Sequence, residues 1–75
     1  MERYQNLADE AGIVAYELGE ESLSVQFRDG ARYLYTYQRT GRPYVEHMKA
    51  LARAGQGLQR FLHQSGGIIY AAKLR

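Results

Sequence analysis

The side chains best suited to chemistry in this sequence are cations and phenols, and both crowd into its second half. Arg39, Arg42, Lys49, Arg53 and Arg60 recur at intervals that two helices and the loop before them would expose. Arg42, Lys49 and Arg53 fall on one face at helical spacing, as a row able to track a phosphate backbone. Arg39 and Arg42 flank Gly41, next to a helix N-terminus that favours anions. Guanidinium groups bind phosphate bidentately and stack on bases, and eight of the ten bases here are arginine. Tyr33, Tyr35 and Tyr37 alternate along one segment, and aromatic rings on a sheet can hold unpaired bases. Tyr37, at the end of the series, is the ring best placed for stacking. Each feature has a plainer reading. Tyrosines pack under helices with their hydroxyls at the rim, and Glu46 at helical spacing from Arg42 and Lys49 can make an ordinary solvated face.

Other chemistries find no support. His47 and His63 are the only histidines, one per helix, without carboxylate or cysteine partners at ligand spacing. No serine, histidine and acid fall into a nucleophilic arrangement. Gly55-Gln56-Gly57 and Gly66-Gly67 lack the strand, lysine and spacing of a phosphate loop. Cysteine is absent, which removes disulfides and thiolate metal sites. The expectation is a protein that is not an enzyme, with no cofactor and no metal.

Length and charge narrow the partner. Seventy-five residues make one domain at most, with a thin stability margin. The net charge of +2 hides an asymmetry: residues 1–31 carry seven acids against two bases, and residues 32–75 carry eight bases against Glu46. A basic half of this kind hints at an anionic partner, or at pairing with the acidic half. No apolar run approaches the ~20 residues of a membrane span. The start, Met1-Glu2-Arg3-Tyr4-Gln5, is polar, and a cytoplasmic location is expected.

These side chains need positioning elements. Residues 1–12 read as an arm or a short helix built on Tyr4, Leu7, Ala8 and Ala11, ahead of a single domain over 13–75. From Ile13 the apolar period becomes two. Val14, Tyr16 and Leu18 share a face of a first strand, and Leu23, Val25 and Phe27 a face of a second. Counting outward from Gly19-Glu20-Glu21-Ser22 pairs Leu18 with Leu23, Tyr16 with Val25 and Val14 with Phe27. Asp29-Gly30 leads into a third strand, Arg32–Tyr37. A two-residue turn would set Leu34 against Val25 and send the tyrosines to the other face. A three-residue turn, Arg28-Asp29-Gly30, sets Tyr33 against Val25 and Tyr35 against Leu23. The second register is preferred because it completes one face for helices to cover. Residues 38–42 read as a loop. Pro43–Ala54 forms a helix with Val45, Met48, Leu51 and Ala52 inward, capped by Gly55. A second helix over Leu58–Gln64 turns Leu58, Phe61 and Leu62 inward and Gln59, Arg60 and His63 outward. Ile68-Ile69-Tyr70 reads as a short strand or packed tail.

Taken together, several of these features resemble the KTSC domain, a short module found alone in bacterial proteins and at the C-terminus of some lysyl-tRNA synthetases. The matching pattern begins with a strand holding Tyr16. Leu23-x-Val25-x-Phe27-x-x-Gly30 and Tyr33-x-Tyr35 follow. A helix ending Leu51-Ala52-x-x-Gly55 comes next, and Gly57-Leu58 opens the last helix. A valine-proline pair that often follows the tyrosines is absent from the segment Tyr37-Gln38-Arg39-Thr40-Gly41, and Gln59 stands where an asparagine is common near the start of the last helix. The resemblance implies an α+β domain and, through its attachment to a tRNA-charging enzyme, RNA as a partner.

The expected fold is α+β: a three-stranded antiparallel meander with two helices on one face, with or without a short C-terminal strand. The expected function is RNA binding, with Arg39, Arg42, Lys49, Arg53 and Arg60 on phosphates and Tyr37 stacking. The alternative is protein interaction or homodimerisation without nucleic acid, through the open sheet face at Ile13, Ala15, Gln26, Leu34 and Thr36.

Overall fold

Alternation of apolar residues makes the sheet, and a computed structural model, which describes residues 1–7, 12–65 and 70–74, shows where that alternation holds and where it slips. In chain order the elements are β1 (Glu2–Arg3), β2 (Ile13–Leu18), β3 (Ser22–Phe27), β4 (Arg32–Thr36), α1 (Tyr37–Thr40), α2 (Arg42–Ala54), α3 (Leu58–Ser65) and β5 (Ala72–Lys73). The protein is therefore α+β, with one sheet ordered β1-β2-β3-β4-β5 and every neighbouring pair antiparallel. Among the described residues two short edge strands join the expected three, one of them a C-terminal strand that the sequence reading allowed, and the helices number three against the two expected. The C-terminal strand is Ala72–Lys73, beyond the expected position. Ile68 and Ile69 lie outside the described residues, as do Ala8 and Ala11 of the expected N-terminal helix. Where the sequence suggests an arm or helix, Glu2–Arg3 pairs with Ala15 and Tyr16 as β1.

The β3–β4 hairpin has the longer of the two turns. Leu23 faces Tyr35 and Val25 faces Tyr33. Phe27 donates its backbone N–H to Ala31 and accepts from Gly30. Gly30 closes the turn at φ +92°, a backbone state that a side chain disfavours. The carboxylate of Asp29 accepts from the Ala31 N–H at 2.9 Å, so the turn caps itself.

The expected β2–β3 register holds from Leu18 to Ala15 and then breaks. Ala15 pairs with Gln26, but Ile13 rather than Val14 meets Phe27. Val14 is the extra residue of a β-bulge, which returns the strand to the core one position late. Ile13 is 3% exposed and Val14 40%, the reverse of plain alternation. The bulge is used: the Val14 carbonyl accepts the Tyr4 N–H at 3.0 Å.

Helix α2 begins at Arg42, so Pro43 occupies its first turn, where no backbone N–H is needed. It ends at Gly55, which is left-handed at φ +77° and donates to the Ala52 and Leu51 carbonyls. A β-carbon at Gly55 would meet the Gln5 Cβ at 2.7 Å, so glycine is required twice over. The expected loop after β4 contains one helical turn, α1, capped by Thr36, whose hydroxyl accepts from the Arg39 N–H at 3.2 Å. The core joins both layers: Leu23, Val25, Tyr35, Tyr16 and Ile13 from the sheet, Val45, Met48 and Ala52 from α2, Leu58 from α3, and Tyr4. Each fully buried aliphatic chain contributes about 1.5–3 kcal/mol.

The bulge makes a sharp prediction. Ile13→Ala should cost about 2–5 kcal/mol, while Val14→Ala should stay within about 0.5 kcal/mol of the parent. Urea denaturation of the two variants checks this, and the opposite order would restore the unbulged strand.

Candidate functional site

Lys49 occupies the expected polar stripe of α2, but it does not point into water. The residue is 4% exposed. Its ammonium donates to the Gly19 carbonyl at 2.7 Å and the Glu20 carbonyl at 3.1 Å, and pairs with Glu46 Oε2 at 3.2 Å. An ammonium has three protons, and three acceptors meet it. Lys49 thus fastens α2 to the β2–β3 turn and has no donor left for a phosphate. Its assignment to a phosphate-binding row is corrected accordingly.

Tyr37 belongs to the same cluster. Its hydroxyl donates to the Glu46 carboxylate. The Lys49 ammonium stands 5.4 Å and the Arg42 guanidinium 5.7 Å from the centre of its ring. The bond to Glu46, then burial, raises the Tyr37 phenol above its ordinary value. The bond from Tyr37, then the one from Lys49, holds the Glu46 carboxyl below its own. A ring with two cations against it and its hydroxyl engaged is not an open platform, so the stacking role expected of Tyr37 does not fit its surroundings.

Tyr33 and Tyr35 are packing residues too. Tyr35 is buried in the core. Burial first, then the neighbouring Tyr33 and Tyr70, pushes its phenol up to about 12. Tyr33 is half-buried between Phe27, edge-on at 5.8 Å, and Tyr70 at 4.8 Å, with the Lys73 ammonium 5.8 Å from its ring.

The remaining cations stay in solvent. Arg39 on α1, Arg42 and Arg53 on α2 and Arg60 on α3 are all exposed. Among the described residues none of the four forms an ion pair; the pairs found there are Lys49 with Glu46 and the Met1 amino group with Glu17. Arg42 and Arg53 lie eleven positions apart on one helix, which returns them to the same face about 16 Å along the axis. Arg60 does not join that row. Helix α3 docks through Phe61 against His47 at 4.7 Å and Tyr44 at 6.2 Å. At about 100° per residue those two positions lie on the opposite flank of α2.

Tyr44 is the residue that the sequence reading passes over. It is 51% exposed and neighbours Phe61. Only its three-residue spacing to His47, off both the apolar and the basic stripe, signals a distinct third face. His47 and His63 are both exposed. Among the described residues no three His, Cys, Asp or Glu side chains gather as metal ligands. No helix there is long and apolar enough to cross a membrane.

The Lys49 cluster sets two tests. Lys49→Met removes the donor to the turn carbonyls and should cost about 1–3 kcal/mol, whereas Arg53→Met should stay within about 0.5 kcal/mol. Thermal unfolding separates them. For pH, a depressed Glu46 carboxyl gives stability that is complete above the ordinary carboxylate range and fades as acid protonates the folded form. The raised Tyr35 phenol works in the other direction: its share is complete below pH 10.0 and fades as pH climbs through about 12. Tyr37→Phe should move the Glu46 titration upward in carboxyl-detected NMR; an unmoved midpoint would dismiss the hydrogen bond as its cause.

No family model matches the chain, and no curated protein or solved structure does.

Proposed function

We propose that this chain is a small, non-enzymatic module of KTSC type that binds single-stranded RNA, with Arg39, Arg42 and Arg53 on its phosphates and Arg60 reaching the strand from α3. The observation that carries the reading is the division among the cations. Lys49 is consumed by internal acceptors, while four exposed guanidinium groups have no carboxylate partner among the described residues. An unpaired arginine loses no internal ion pair when a phosphate arrives, and its fork matches phosphate geometry. The order of tyrosine strand, hairpin and two helices, by which the sequence resembles the KTSC domain, supports the same partner. A cytoplasmic setting, where RNA is at hand, belongs to this reading.

The competing reading, a homodimer or protein contact through the open sheet, loses support. Ile13, which was to anchor that face, is in the core. Both sheet edges are partly covered, β2 by β1 and β4 by β5. What stays on the open face includes Ala15, Glu17, Ser24, Gln26, Leu34 and Thr36, in which Leu34 is the one large apolar side chain among small and polar neighbours.

Titration of the full chain with mixed-sequence single-stranded RNA at two salt concentrations tests the proposal. Affinity should fall with salt by about 0.7 log units per log unit of salt for each phosphate neutralised. Arg39→Gln, Arg42→Gln and Arg53→Gln should each weaken binding and lower that slope by about 0.7, while Arg28→Gln on the β3–β4 turn leaves it unchanged. Salt-insensitive binding, or none at low salt, would overturn the reading.

A further inference from the structure

We infer that Tyr44, Phe61 and His47 form a stacking shelf for an unpaired base, placed between Arg39 and Arg60, which take the flanking phosphates. The inference rests on the RNA reading above and locates the base-binding part of that interface on the α2–α3 crease, away from the tyrosine strand.

Three rings meet there in the open. Phe61 is the shared member, with His47 at 4.7 Å inclined by 63° and Tyr44 at 6.2 Å inclined by 44°. Phe61 is half-buried, so it holds the group to the core, while Tyr44 and His47 are exposed. The Tyr44 hydroxyl has no hydrogen bond among the described residues. A rigid phenol with about half its surface in water, backed by a second ring, offers a flat apolar area at low entropic cost.

The surroundings decide what lands on it. The Tyr44 ring edge passes 3.8 Å from where a β-carbon would stand on Gly41. The ring therefore borders the α1–α2 junction, just after the exposed Arg39 of α1, while the Arg42 guanidinium stands over Tyr37 on the other flank. At the other end Arg60 directly precedes Phe61 on α3, exposed and about a quarter-turn outward from it. The acid nearest in sequence to the shelf, Glu46, is held on the other flank of α2 by Tyr37 and Lys49. Flat rings with cations at both ends and that carboxylate drawn away suit a ligand with a planar centre and a charged backbone, which is a nucleotide within a single strand. A paired base is stacked on both faces and cannot reach the shelf. Base stacking of this kind is worth roughly five- to hundred-fold in affinity.

Three RNA probes read the shelf: a short single strand, the same backbone with abasic sites, and a blunt duplex. Tyr44→Ala and His47→Ala, both at exposed positions, should each weaken single-strand binding roughly five- to hundred-fold. They should leave the salt slope unchanged and leave the abasic probe's affinity as it was. Tyr44→Phe should bind like the parent. Aromatic NMR signals of Tyr44 and Phe61 should shift with the single strand and not with the abasic probe, which keeps the test independent of any variant's folding. Salt-dependent RNA binding that Tyr44→Ala leaves intact, or equal affinity for abasic and intact strands, would overturn the shelf alone. No binding of any probe by the parent protein at low salt would remove the phosphate reading and the shelf together.

Discussion

The register of the β3–β4 hairpin is the constraint from which the other contacts follow. Because the turn takes three residues, Tyr33 and Tyr35 share a face with Leu23 and Val25. One residue fewer would rotate the whole of β4, set Leu34 under the helices and leave the phenols in water. With Tyr35 inward, β3 and β4 present a broad apolar floor, and Val45, Met48 and Ala52 of α2 lie on it. The same rotation puts Arg32 and Leu34 on the open face, where Arg32 reaches Gln26 at 3.5 Å. The turn that imposes all this is short and locally determined by Asp29 and Gly30, so it can form before the long-range packing that depends on it.

Once α2 is seated, its charged side chains divide by direction. Lys49 bends over the helix edge to the β2–β3 turn, and Glu46 follows it to meet Tyr37. This trio, with Arg42 beside the Tyr37 ring, joins the hairpin turn, α1 and α2 into one hydrogen-bonded unit. It also withdraws the Lys49 ammonium from the surface and engages the exposed Glu46 carboxylate, which leaves Arg42 and Arg53 as the exposed charges of that face without an ion pair among the described residues. Buried, internally bonded charge and exposed, unpaired charge are therefore separated along one helix face, at positions three or four residues apart.

Much of this was legible in the sequence, and the misses have physical causes. Period-two alternation and the Asp29-Gly30 turn were enough to place β3, β4 and their register, and Pro43 and Gly55 bracketed α2. The bulge at Val14 was invisible, because Ile13 and Val14 are both β-branched and apolar and either could face the core. β1 and β5, at two residues each, are too short for periodicity to register. Lys49 misled because helical spacing reports the direction of a β-carbon, and a long flexible chain can carry its charge elsewhere. Tyr37 misled because its hydroxyl partner, Glu46, is set by tertiary packing. Tyr44 was overlooked because it faces neither the core nor the basic row, and its neighbour Phe61 comes from another helix.

The first residues have a consequence for α3. The Tyr4 hydroxyl accepts the Leu58 N–H at 3.2 Å, across a sequence separation of 54. The Leu7 N–H reaches the Gly55 carbonyl. A helix start normally finds its cap in the residue just before it; α3 borrows one from the opposite end of the chain. Peeling β1 away would uncap α3 in the same event, so the two ends form a single cooperative unit. The Leu58 amide then becomes a natural sensor in hydrogen exchange for whether the first strand is docked. Anything fused ahead of Met1 would be felt, through Tyr4, at the helix that carries Phe61.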